Sequence, residues 1–447
     1  MLVCGIDIGT TNLKVALFDD KGHLVWIKTE ASPRVQDRLG VTTDANALVA
    51  RIEDMVIEGW RATGAKEPVA AISTAGVGED GIYVDAALNP LGHSIPWFDQ
   101  RAAKESAELQ SHEAATPRSG ISMDSTRTAA KWLWIARNAK AEVSRAYAWI
   151  SLTDYPLARW ANKAFISDTL AARTGCFDST RRTWIEGLLL ASGAGPMPEV
   201  LCAGTAVGTV QSARFLQSGA VNVRTVLVAG GHDHPAAAHA IHRIDPLARV
   251  DSLGTANVIY GDAPTFEVTA FDPYIAFMAS IEGPSKLACL GVFEFSNTVK
   301  QHAGGMDAIR KMLALPRIPG APNTENAVDA TDVRGLLEWA TMNARVLLER
   351  LDGYGVPKGP IFATGGWSRS NALLELRASV FGQPIHAPEE KELTVLGAAL
   401  FAASCVGAFQ TFDAPVRVVE PDLEWHRRYQ DLYGEFVRTT NALGTHS

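Results

Sequence analysis

The opening stretch constrains the fold more than any other part of the chain. Leu2–Ile8 is a short apolar run of β-formers that ends in Gly9-Thr10-Thr11. Leu13–Phe18 is a second run, Asp19-Asp20-Lys21-Gly22 is turn chemistry, and His23–Lys28 is a third run. Runs this short, joined by tight turns, predict an antiparallel meander. Asn46–Trp60 then places Leu48, Ile52, Met55, Val56 and Trp60 at helical spacing. Val69–Ser73 reads as a buried strand entering a Gly-rich stretch. The order β-β-β-α-β predicts an α/β fold.

The pattern is then repeated. Helical spacing dominates Ala102–Leu190, including Lys131–Arg137 and Asp154–Trp160. Val226–Ala229 reads as a strand running into Gly230-Gly231-His232-Asp233-His234-Pro235, with helix resuming over Ala236–Ile241. Proline is tolerated in a first helical turn. Val250–Tyr260 holds a strand, the turn Leu253-Gly254-Thr255 and another strand, which echoes Ile8-Gly9-Thr10 followed by Leu13–Phe18. Arg334–Leu351, Ala372–Phe381 and Val395–Ala403 read as helices, and Gly359–Ala363 as a strand into Thr364-Gly365-Gly366. The restart places a boundary near residues 243–248 and predicts two domains, 1–245 and 246–447, as distant copies of one unit. A chain of 447 residues suits two large domains. Leu315–Asn326 reads as a surface loop, and Asn441–Ser447 as a frayed end.

Charge and cysteine usage narrow the function classes. A net charge of −8 gives no global basic field, which argues against nucleic acid or an anionic membrane as main partner. The five cysteines, Cys4, Cys176, Cys202, Cys289 and Cys405, are scattered and never form CxxC, which fits buried thiols in a reducing compartment. The N-terminus runs straight into a strand pattern and lacks the layout of a signal peptide. The longest apolar stretch, near Leu396–Phe409, is too short to span a bilayer. The expectation is a soluble cytoplasmic protein, and a homodimer is compatible with these features.

Five motifs could carry chemistry. In Asp7-Ile8-Gly9-Thr10-Thr11-Asn12-Leu13-Lys14, a small-residue turn exposes backbone N–H groups to phosphate oxygens. Thr10 and Thr11 add hydroxyls, Lys14 adds a cation, and Asp7 could hold Mg²⁺ through water. A plain hairpin competes with that reading. The Leu253-Gly254-Thr255 turn gains weight as its pair, since two facing loops can clamp a polyphosphate. Asp233 is either a helix N-cap or a general base taking a proton from an attacking hydroxyl. Its flanking histidines suggest metal, but no third ligand lies nearby in sequence. Gly365-Gly366-Trp367-Ser368-Arg369-Ser370-Asn371 is either a strand–helix connector or a nucleotide site. Glu79-Asp80 and Trp97-Phe98-Asp99-Gln100-Arg101 combine polar groups with an aromatic, which suits a polyol.

The ordered set resembles the FGGY family of carbohydrate kinases, within the actin, hexokinase and Hsp70 superfamily. Asp7–Lys14 resembles the first phosphate motif, and Trp97–Arg101 the W-x-D-x-R of xylulokinase-like members. Thr128–Asn138 follows the family's K-x-x-W helix pattern, and Ser167–Asp178 its TD-x-S…G-x-x-D stretch. Gly230–Asp233 resembles the motif of the catalytic base, Ser252–Thr255 the second phosphate motif, Gly365–Ser370 the adenosine motif, and Leu396–Ala399 the closing helix. The resemblance implies two ribonuclease-H-like domains with a central cleft. It makes Asp233 the general base, and Thr10, Thr11, Lys14, Gly254 and Thr255 the phosphate contacts. Asp7 and Asp233 would hold Mg²⁺, and Gly365, Gly366, Ser370 and Asn371 would border the adenosine of ATP. Asp80, Trp97, Asp99, Arg101 and His232 would face the sugar.

Some positions depart from the family. Glycerol kinases carry Arg-Glu where this chain has Glu79-Asp80, xylulokinases often Met-His, and most members Gln where this chain has His234. The expected reaction is ATP-dependent phosphorylation of a hydroxyl on a small sugar or polyol, a ketopentose such as xylulose first, a tetrose or sugar alcohol next. The competing class is an actin- or Hsp70-like ATPase switch with the same phosphate turns and no sugar chemistry. A catalytically silent binding protein is a third.

Overall fold

The structure is a computed structural model that describes residues 1–113, 117–254, 256–296, 299, 306–315, 318, 333–409 and 414–443. Thr255, most of the stretch 315–326 and the last residues of the frayed end lie outside them.

Two compact units form. The first comprises Met1–Arg243, Thr265–Ala288 and Glu392–Phe412; the second comprises Ile244–Pro264, Cys289–Lys391 and Asp413–Ser447. In the first, the expected meander is present: Leu2–Ile8, Asn12–Phe18 and Leu24–Ala31 pair antiparallel in sequence. The sheet continues on the other side of Leu2–Ile8 through Val69–Gly76 and Val226–His232, both parallel, to an edge strand Ala206–Thr209.

Side chains alternate across a strand, so each face can meet a different helix. Cys4, Ile6 and Ile8 join Leu48, Ile52, Met55 and Val56 of helix Ala45–Ala62 in one core. Each of the Ile, Leu, Met and Val side chains, fully buried, contributes about 1.5–3 kcal/mol. Asp44 starts that helix: its Oδ1 accepts from Asn46 N at 2.9 Å and Ala47 N at 3.1 Å. Gly5 points to the other face. A Cβ there would lie 2.1 Å from the carbonyl oxygen of Val395, so only glycine lets helix Leu393–Val406 lie so close.

In the second unit, Arg249–Leu253 pairs antiparallel with Ala256–Pro264 and parallel with Ile361–Thr364, followed by Ile385–Pro388 and Val416–Val419. This repeats the first unit's local scheme, an antiparallel hairpin whose first strand takes a later parallel neighbour. Arg377 sits under the sheet, donating to Asp251 at 2.8 Å and Asn257 at 2.6 Å.

Some expectations need correction. Short strands Ala148–Ser151 and Phe165–Ser167 interrupt the stretch Ala102–Leu190; aromatic and β-branched residues there outweigh the helical spacing. Among the cysteines, Cys4, Cys176 and Cys289 are buried, but Cys202 and Cys405 are exposed. Among the described residues, no helix is long and apolar enough to cross a membrane.

Candidate active site

The three parallel strands of the first unit end in register. Ile8 and His232 both lie opposite Gly76, and Asp7 lies opposite Ala75 on one side and Lys14 on the other. The carboxyl ends of parallel strands are where open α/β sheets bind ligands.

At the first strand end, the backbone N–H of Gly9 donates to the carbonyl of Asn12 at 3.0 Å, closing the turn. Other side chains brace it. Ser32 Oγ donates to Gly9 O at 2.8 Å, and Arg34 Nη2 to Thr10 O at 2.5 Å. Trp97 Nε1 donates to Thr10 Oγ1 at 2.8 Å. Thr11 is exposed. Lys14 Nζ lies 2.5 Å from Glu392 Oε2, so its ammonium already has a carboxylate partner. Burial, then the charge of Asp233, pushes the Asp7 carboxyl up to about 7; Lys14 opposes this and Glu392 adds to it.

Asp233 follows the last parallel strand. Helix Asp233–His242 takes His232 as its cap residue, so Asp233 is the first helical residue and the N-cap reading fails. Glycine is needed just upstream: a Cβ on Gly230 would lie 1.8 Å from the carbonyl oxygen of Thr74. Asp233 Oδ1 accepts from its neighbour's N–H, His234 N, at 2.6 Å, and His232 Nε2 lies 3.2 Å away. Burial raises this carboxyl, yet His234 and His232 outweigh it and hold it below the ordinary range. It is therefore ionised at neutral pH, with its side chain 33% exposed. Burial pushes His232 down to about 4 against the pull of Asp233, so its imidazole is neutral.

The residues expected to face a sugar fall into two groups. Trp97 is 38% exposed and meets Phe98 edge-on at 5.7 Å. The Asp80 carboxylate, by contrast, is wholly enclosed; burial raises it to about 6. Its Oδ1 accepts from Trp97 N at 2.7 Å and lies 3.9 Å from Lys131 Nζ, so Asp80 anchors the backbone of Trp97. Asp99 and Arg101 engage each other through two parallel bonds, at 2.9 and 2.8 Å, and Arg101 also reaches Asp37 at 3.1 Å. His232 is buried.

Sequence reading missed the partners of Glu79. Its Oε1 accepts from Arg127 at 3.0 Å and Arg173 Nε at 2.9 Å, and pairs with Arg173 Nη2. Burial would raise Glu79, but Arg173 and Arg127 outweigh it and hold the carboxyl at about 2. Arg34 and Glu392 were missed as well. Only charge type could have flagged them, because they lie far from their partners in sequence.

In the second unit, Gly254 N donates to Ala256 O at 3.1 Å, and Gly254 O accepts from Ser296 Oγ at 2.9 Å. Thr255 lies outside the described residues. Gly365 has φ +83°, and a Cβ there would lie 2.5 Å from Leu253 O. Gly365, Gly366 and Asn371 are exposed, whereas the Ser370 hydroxyl caps helix Asn371–Phe381 by accepting from Leu373 N at 3.2 Å.

Fold and site together define a two-domain sugar-kinase architecture of the actin and hexokinase type. The model of the N-terminal domain of the FGGY family of carbohydrate kinases matches residues 2–239, and that of its C-terminal domain residues 302–405. A xylulose kinase of Streptomyces coelicolor is 25% identical, over 90% of this chain and 87% of its own. A glycerol kinase of Koribacter versatilis is also 25% identical, over 91% and 90%. The crystal structure of xylulose kinase from Rhodospirillum rubrum superposes with a TM-score of 0.87 at 20% identity, covering 100% of this chain and 99% of that one. The chain belongs to the FGGY family of carbohydrate kinases and is a kinase of small sugars or polyols.

Proposed function

We propose that this kinase transfers the γ-phosphoryl group of ATP to a hydroxyl of a ketopentose such as xylulose, or of a tetrose or sugar alcohol, with Asp233 as general base. The observation that carries the reading is the placement of a partly exposed Asp233 just after strand Val226–His232, whose last residue is level, across Gly76, with Ile8 before the Gly9–Thr11 turn. The domains are read as 1–245, with sugar and first phosphate motif, and 246–447, with nucleotide, although Thr265–Ala288 and Glu392–Phe412 pack with the first unit.

The chain's own groups supply positioning and charge. Thr10, Thr11 and Lys14, with Gly254 and Thr255, hold phosphate oxygens; Gly365, Gly366, Ser370 and Asn371 border adenosine. Trp97 packs against the sugar's carbon face, with Asp80 fixing its backbone. Asp99, Arg101 and His232 complete that wall, mostly from beneath it. Asp233 accepts the proton of the attacking hydroxyl; its carboxyl, held below the ordinary range, is ionised and ready to accept.

Mg²⁺ suits the donor set. Asp7 and Asp233 are two carboxylates close enough to feel each other's charge, Asp7 being raised by burial and then by Asp233, and Mg²⁺ takes one or two carboxylates while keeping waters and substrate phosphates. Bound there, it would neutralise charge building on the transferred group.

Asp233→Asn tests the assignment. Turnover falls by about 10²–10⁴-fold, while the affinity for ATP measured by calorimetry without Mg²⁺ changes little. Near-native turnover would remove Asp233 from the base role.

A further inference from the structure

Trp97 touches more than the sugar side. Its indole N–H donates to the Thr10 hydroxyl oxygen at 2.8 Å. Its backbone N–H is fixed by the enclosed carboxylate of Asp80 at 2.7 Å. The Thr10 carbonyl is in turn held by Arg34 Nη2 at 2.5 Å, and Arg34 Nη1 is anchored on Thr43 Oγ1 at 2.6 Å. Thr10 is thus gripped at its carbonyl and at its hydroxyl oxygen.

A threonine hydroxyl has one proton to donate and two lone pairs. An incoming N–H on one lone pair leaves that proton free to point elsewhere and strengthens the hydroxyl as a donor, because bonds in a chain polarise one another. In the first unit, Trp97 therefore joins the sugar wall to the phosphate turn.

We propose that Trp97 is a positioning residue for polyphosphate binding: its indole N–H orients the Thr10 hydroxyl so that the hydroxyl proton meets a phosphate oxygen of ATP. This rests on the reading of Thr10 as a phosphate contact. Trp97 then serves two substrates at once, with its ring face toward the sugar and its N–H toward the nucleotide site.

Calorimetric titration of the full chain with Mg·ATP and with AMP, without sugar, tests this. Trp97→Phe keeps the ring and removes the N–H. It weakens ATP binding about three- to tenfold, the worth of one hydrogen bond, and leaves AMP binding unchanged. Thr10→Val gives a similar loss, and the double variant is no weaker than Thr10→Val alone. Trp97→His retains a ring N–H and recovers part of the affinity, and it serves if the Phe variant fails to fold. Unchanged ATP affinity in Trp97→Phe beside a loss in Thr10→Val overturns the link, and so do additive losses. No loss in Thr10→Val overturns the phosphate reading beneath it instead.

Discussion

Asp7 and Glu79 are buried carboxylates pushed in opposite directions, and stability follows each differently. Asp7 sits at about 7 in the fold against an ordinary value of 3.8. The folded state therefore keeps its proton over a range where the unfolded chain has lost it, and this group weakens the fold as pH rises from about 4 to 7. Asp7→Asn should raise the melting temperature relative to the parent more at pH 8 than at pH 5, while Mg²⁺-dependent turnover collapses. Adding Mg²⁺ should raise the parent's melting temperature at pH 8 and leave that of Asp7→Asn unmoved. Equal shifts at both pH values would contradict the account. Glu79 is held at about 2, below its ordinary 4.5, so its contribution is present above pH 4.5 and lost as pH falls toward 2. Removing it with Glu79→Ala takes the shared carboxylate from Arg127 and Arg173, both mostly enclosed, and leaves Arg127 with Asp124 at 3.2 Å. Thermal or urea unfolding should show a loss of about 3 kcal/mol, as expected when one partner of a buried ion pair is deleted.

At the scale of elements, the close approach of helix Leu393–Val406 is the sensitive feature. A Cβ on Gly397 would lie 1.9 Å from the carbonyl oxygen of Ala236, in the helix that begins with Asp233. Backbone cannot yield as a side chain does. Gly397→Ala should cost about 1–3 kcal/mol in denaturant unfolding, the range of overpacked cores, and lower turnover by displacing Asp233. A variant with native stability and turnover would show that the two helices part freely. This level of organisation was legible in the sequence, because Gly9, Gly230 and Gly254 punctuate apolar runs at the turns that matter. The site was less legible. Asp80, Asp99 and Arg101 look like free polar groups in the sequence, yet Asp80 holds Trp97 N, and Asp99 and Arg101 hold each other. Polar residues announce a hydrogen bond, but not whether substrate or protein supplies the partner. Glu79 and Arg173 meet across 94 residues, and no local pattern encodes such a pair.

For the whole molecule, the repeated hairpin-plus-parallel-strand scheme explains why one sequence can present two Gly-bearing turns, one in each unit. The first unit adds to its turn Asp233 and an exposed tryptophan, the features that under the proposed function separate a sugar kinase from a bare nucleotide switch. The central claim is phosphoryl transfer to a small sugar or polyol. Its most direct test is ADP release from Mg·ATP across ketoses, aldoses and polyols of three to seven carbons, with a no-sugar blank and mass spectrometry of the products. The account predicts one sugar well above the blank with a matching phosphosugar; equal ADP release in every well with no phosphosugar would contradict it and identify an ATPase switch.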